Sequence, residues 1–249
     1  MPESPTYESI ILEASTYALK YRQEHEVPPL PTAEQLHLYQ EIINSRYVSV
    51  TQSIKEKLLG VKSDGGHGYE HLDDVAKRAA FIANLECNRL EITGQKKQEV
   101  INLTVLAGLL HDIERHLGFG RKHQDEGEKT ARQILTDCSL LNEKVLSVVL
   151  NHDEPDYLPG NDIELQIIYG SLFDADHFRW GLEREDTFWE MKQGRGVTPK
   201  QVIHDYAFLP PLRNIWKTQY GQEVGPKYID FGLAIAQHIE QMFSIPAVN

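Results

Sequence analysis

Apolar residues along this chain recur at three- and four-residue intervals, and the strict alternation of a half-buried strand is scarce. The pattern predicts an all-α protein. A first amphipathic segment runs from about Tyr7 to His25 and ends at the breaker Val27-Pro28-Pro29-Leu30-Pro31. Thr32 then caps a second, about Ala33 to Leu59. Together they form an N-terminal helical arm over residues 1–60. The Gly-rich stretch from Gly60 to Gly68 leads into a helix that reaches about Leu90. The next helix, about Lys97 to Leu117, is apolar on every side from Val100 to Leu110, as a central buried helix is. A polar loop with Gly118 and Gly120 precedes a helix carrying His123, another runs from about Glu143 to His152, and one more from about Ile163 to Phe178. Further on, Gly194-Arg195-Gly196 and Leu209-Pro210-Pro211-Leu212 punctuate two or three helices, and Gly225-Pro226 opens a last amphipathic helix ending near Phe243. Residues 61–190 thus read as the core and 191–249 as a C-terminal helical extension packing on it, one compact domain overall.

With 249 residues and a hydrophobic fraction of 41%, the chain can bury one substantial core. Cys87 and Cys138 sit in apolar helical patterns, far from any metal-like cysteine spacing, so free thiols in a reducing compartment are expected. The first residues lack a charged-then-apolar signal pattern, and no apolar run approaches the length that crosses a bilayer. The expectation is a soluble, cytoplasmic protein with no membrane partner. A net charge of −12 argues against a general nucleic-acid surface, since backbone affinity comes from neutralising Lys and Arg. Local positive charge at Arg115, Arg121, Lys122 and Arg179 remains compatible with a small anionic substrate.

The chemistry concentrates in a few short motifs. Leu109-Leu110-His111-Asp112-Ile113-Glu114-Arg115 sets two metal-ligand types side by side at the end of an apolar run. His71 lies upstream in His67-Gly68-Tyr69-Glu70-His71-Leu72, and Asp176 downstream in Phe173-Asp174-Ala175-Asp176-His177-Phe178. Two His and two Asp can ligate one divalent ion. His123, in Arg121-Lys122-His123-Gln124-Asp125, and His152, in Leu150-Asn151-His152-Asp153-Glu154-Pro155, could serve a second. Neighbouring residues on one helix point roughly 100° apart, so His111 and Asp112 reach one ion only at a helix end or with the ion lodged between helices. Other helices must complete the set, as in bundles that hold metals in their cores.

From about Ser63 to Arg184, the order and surroundings of these motifs resemble the HD-domain superfamily of metal-dependent phosphohydrolases. The resemblance implies an HD-domain-like helical bundle with residues 61–190 as its metal-binding catalytic core, and His71, His111, Asp112 and Asp176 as ligands. His123 and His152 match the additional histidines of members that hold two metals. Imidazole and carboxylate suit Mn, Fe, Co, Ni and Mg alike, so one or two divalent ions are expected without a choice among them. On this reading Asp112 bridges two ions if two are bound, and Asp176 both ligates and orients the attacking water. His67, one turn before His71, orients a ligand or shuttles a proton, and Arg115 presents a fork to phosphate from the i+4 position after His111. Arg121, Lys122 and Arg179 hold the substrate. Asp174 stands as the alternative final carboxylate.

The chain departs from better-known branches. Arg115 stands where the deoxynucleotidase and ppGpp-hydrolase branches carry an acidic residue, and the Gly-Tyr-Pro companion motif of cyclic-di-GMP phosphodiesterases is absent after His152. The function expected is hydrolysis of a phosphate ester in a small molecule or nucleotide. Two alternatives stand beside it: a diiron oxygenase that uses dioxygen, and a non-catalytic regulatory module. The N-terminal arm and last helix offer apolar faces that serve a homodimer interface or packing on the core equally well.

Overall fold

The computed structural model describes residues 6–61, 68–118, 121–178 and 213–243. Among these residues there is no strand, and the chain is all-α. The helices are α1 (Tyr7–Glu24), α2 (Ala33–Arg46), α3 (Val48–Leu58), α4 (Tyr69–Arg89), α5 (Gly94–Leu110), α6 (Arg121–Asp137), α7 (Glu143–Asn151), α8 (Ile163–His177) and α9 (Gln219–Met242), with a 3-10 turn at Arg115–Leu117. None of the described helices is long and apolar enough to cross a membrane. Both cysteines are free thiols. The helices expected between 191 and 212 lie outside the described residues.

Two compact units emerge. The larger takes the described residues within Pro31–Asp176 together with Lys217–Tyr220; the smaller takes those within Met1–Leu30, His177–Trp216 and Gly221–Asn249. In the smaller unit, α1 meets α9 through aromatic rings: Tyr17 stacks on His238 at 3.9 Å, and His238 Nε2 lies 2.6 Å from Glu13 Oε1. Trp216 lies flat against Gly225, where a Cβ would fall 2.0 Å from the indole. α9 starts at Gln219, before the expected Gly225-Pro226 opening, and carries Pro226 in its interior.

In the larger unit α5 is the central helix, buried at Val100, Ile101 and from Thr104 to Leu110. α4 packs on it, with its small residues Ala76, Ala79, Ala80 and Ala83 all buried. The approach is closest at Gly108, where a Cβ would stand 2.5 Å from the Ala76 Cα. The segment expected to run unbroken from Ala33 to Leu59 divides at Tyr47, which leaves helical geometry at φ −115, ψ 24. The break lets the Tyr47 ring bury itself and donate its hydroxyl to the Asn102 carbonyl on α5 at 2.9 Å. Upstream, Thr32 and Gln35 close a reciprocal capping box on α2. At their far ends α4 and α6 turn through left-handed Glu91 and Ser139, and Ile92 N–H and Leu140 N–H return to Cys87 O and Leu135 O.

Candidate metal centre

The buried residues His111, Asp112, His123 and His152 gather where α4, α6 and α8 meet the C-terminal ends of α5 and α7. α5 stops at Leu110, so His111 and Asp112 fall in the turn beyond it. His111 donates its Nδ1–H to Gly108 O at 2.8 Å, and His152, in the same position after α7, donates its own to Val149 O at 2.7 Å. Each bond satisfies a carbonyl that a helix end leaves without a partner. It also commits the Nδ1 proton, so that the Nε2 atom of each ring faces inward.

Two sets of donors result. His71 Nε2 and His111 Nε2 lie 3.3 Å apart. Asp112 Oδ2 is 3.8 and 3.7 Å from them, and Asp176 Oδ1 is 3.3 and 3.7 Å from the same pair. On its other side Asp112 turns Oδ1 to His152 Nε2 at 3.1 Å and His123 Nε2 at 3.7 Å. Ligand atoms that share an ion about 2.1 Å away stand about 3.0–3.4 Å apart at right-angled to tetrahedral positions. Both His71, His111 and Asp112, and Asp112, His123 and His152, are close enough to hold a metal ion. One carboxylate faces both sets.

Asp174 and Asp176 separate cleanly. The Asp174 carboxylate, fully buried, accepts from Lys217 N at 2.9 Å, Thr218 N at 2.8 Å and Thr218 Oγ1 at 2.6 Å. Its partners are the residues that lead into α9, whereas Asp176 faces the histidines.

Electrostatics follow from burial. Burial disfavours a charged His152, but the hydrogen bond to Asp112 and the charges of Asp153 and Asp112 outweigh it and push the pKa up to about 9. His111 is raised likewise, burial being overcome by Asp112 and Asp176. Asp176 is held well below the usual carboxylate range: burial would raise it, yet His111 and His71 prevail. Asp153 falls to about 2 against the same penalty, through its hydrogen bond with His123 and the charge of His152. Buried imidazoles that cling to protons mark a cluster short of positive charge. Nitrogen and carboxylate oxygen donors are the set that divalent ions of borderline and hard character take, and the residues present fit such an ion.

That fit has a pH consequence. His111 must give up its Nε2 proton to ligate, and its raised pKa keeps that proton in place above the ordinary histidine value of 6.5. Affinity is therefore expected to climb with pH through and beyond 6.5, by about tenfold per unit for each proton displaced. Competition with a chelating dye between pH 6 and 9 reads it; an affinity independent of pH contradicts the ligand role of His111.

The remaining residues sort by place. Arg115 does not share a helical face with His111, because the turn tightens to i−3 hydrogen bonds from Ile113 to Gly118. Its guanidinium is buried instead beside the second set, with Nη1 3.2 Å from His123 Nε2 and 3.2 Å from Asp153 Oδ2. Arg121 and Lys122 are exposed in the first turn of α6, where Arg121 pairs with Asp125 at 3.0 Å. His67 and Arg179 lie outside the described residues. Sequence reasoning passed over Asp153, whose Oδ2 is 3.4 Å from His123 Nε2; the pair His152-Asp153 repeats His111-Asp112 and was the available signal. It also passed over Glu114, buried between Lys57 at 2.7 Å and Thr130 at 2.6 Å, which ties the His-Asp turn to α3 and α6.

An all-α unit with a buried His and Asp cluster drawn from facing helices has the donor set of a metal site within a helical bundle. Residues 68–179 match the family model of the HD domain, a span that opens just before His71 and closes just after Asp176. Over that span the chain is similar to the HD domain, a domain typical of metal-dependent hydrolases. No match was found among curated proteins or solved structures.

Proposed function

We propose that this protein is a metal-dependent phosphohydrolase that cleaves a phosphate ester of a small molecule or nucleotide. The observation that carries the reading is the convergence of His71, His111, Asp112 and Asp176 from α4, α8 and the α5 turn, with the two imidazole Nε2 atoms 3.3 Å apart and each 3.3–3.8 Å from a carboxylate oxygen of both Asp112 and Asp176. These four residues would hold the ion. A divalent ion in such a place supplies Lewis acidity, acidifying water and stabilising charge on phosphate oxygens.

The chain's own groups account for the rest. His111 is kept in register by Gly108 O, so its Nε2 stays aimed at the set. Asp176, held ionised, offers a carboxylate oxygen that orients a water. Arg121 and Lys122 stand exposed on α6 to draw an anionic substrate toward an otherwise acidic protein. A second reading, a diiron oxygenase, is favoured by the two-sided placement of Asp112 and requires iron in both sets.

The test is elemental analysis of protein purified without oxygen, together with phosphate release from a panel of phosphomonoesters and nucleotides. Bound metal with release supports hydrolysis. Two irons without release supports the oxygenase, and no metal under any loading condition refutes both and leaves a regulatory module.

A further inference from the structure

We propose that Arg115 is a built-in cation that takes the place of a second metal ion, so that the native chain binds one divalent ion and a chain without Arg115 binds two. The inference rests on the reading of His71, His111, Asp112 and Asp176 as a metal set. Its own evidence lies on the other side of Asp112.

There, Asp112 Oδ1, His123 Nε2 and His152 Nε2 form a set able to hold an ion. Arg115 Nη1 already lies 3.2 Å from one of those donors, His123 Nε2. A guanidinium carries only donors and a fixed charge, so it stands as a cation against the very atom that an ion in this set would have to take. A second cation placed there would be opposed at close range. The same Nη1 reaches Asp153 Oδ2 at 3.2 Å, which anchors the guanidinium from a second direction. With Arg115 8% exposed, its charge is permanent and held in a place where a buried charge must be matched.

Charge balance agrees. The carboxylates that face the cluster are Asp112, Asp153 and Asp176. Of the other buried acids nearby, Glu114 pairs with Lys57, and Asp174 turns away from the cluster to the backbone amides of Lys217 and Thr218 and the Thr218 hydroxyl. One divalent ion in the first set and the fixed charge of Arg115 face these three carboxylates from either side of Asp112, and a second divalent ion would be set against a buried guanidinium that cannot deprotonate. Arg115 thus performs the electrostatic work of a second ion at a fixed position and with no dependence on metal supply.

The experiment loads wild type, Arg115→Met and Arg115→Lys with excess Mn2+, removes unbound ion by gel filtration, and measures Mn per chain and the electron paramagnetic resonance spectrum. Circular dichroism verifies the fold of each. Wild type and Arg115→Lys are expected to retain one Mn with an uncoupled signal. Arg115→Met is expected to retain two, with exchange coupling through the Asp112 carboxylate. Two Mn in wild type, or one in a folded Arg115→Met, overturns the inference. If Arg115→Met does not fold, His123→Asn decides: one retained Mn supports the inference, because His123 then serves Arg115, and loss of Mn overturns it. No Mn in wild type refutes the metal centre itself, and with it the inference.

Discussion

Asp112→Ala is expected to abolish metal retention and to lower phosphate release by more than about a hundredfold, since even the outer partners of metal ligands cost about 10- to 100-fold when removed. Asp112 is 2% exposed and is the residue that serves both donor sets. Its removal leaves His71 Nε2 and His111 Nε2, 3.3 Å apart, with Asp176 alone of the two carboxylates that attract a cation between them. It also deprives His152 Nε2 of its 3.1 Å partner. The metal-free variant should be less stable as well, by about 1–3 kcal/mol, for the loss of a partner to a buried polar group. Elemental analysis, phosphate release and a denaturant titration check the three parts. Full metal content in Asp112→Ala would refute the site as assigned.

Gly108→Ala is expected to damage stability and metal binding together, although it sits in a helix where alanine is normally favoured by about 1 kcal/mol. The added methyl meets the Ala76 Cα at 2.5 Å and its Cβ at 2.9 Å, backbone and short side chain that cannot swing away. Overpacking of this kind costs about 1–3 kcal/mol or more and is relieved only if α4 and α5 move apart. Ala76 follows His71 by little more than one turn of α4, and Gly108 supplies the carbonyl that orients His111. Separating the helices therefore separates the two histidines. The melting temperature should fall by several degrees and metal affinity by about tenfold or more, with helical content unchanged. A variant that melts at or above wild type with unaltered affinity would show that the contact is not tight.

The all-α fold was legible because apolar spacing at a helical period is a local property, and the all-round apolar run from Val100 to Leu110 does place α5 at the centre. The break at Tyr47 was not legible, since its cause is a hydroxyl reaching Asn102 on another helix. At the site, His71, His111, Asp112 and Asp176 were found by residue type and order, and the structure brings them together. The direction of Arg115 was missed because continuing α5 to Leu117 assumes i−4 hydrogen bonds where the chain uses i−3 bonds. Asp153 was hidden for a related reason. An acid beside a histidine reads as solvated surface, and only the packing of α6 against α7 draws it toward His123.

The bonds from Lys217 and Thr218 to Asp174 span 43 and 44 residues and fasten α8 two positions before Asp176. A ribosome releases His71, His111, Asp112, His123, His152 and Asp176 well before it releases Thr218. In that interval the nascent chain owns every proposed ligand but leaves the Asp174 carboxylate without the donors that compensate its burial. Closing so long a loop is slow in comparison with forming the helices themselves. The centre is therefore assembled in two acts of biosynthesis: the donors arrive first, and the latch that seats the last of them arrives only when the beginning of α9 folds back.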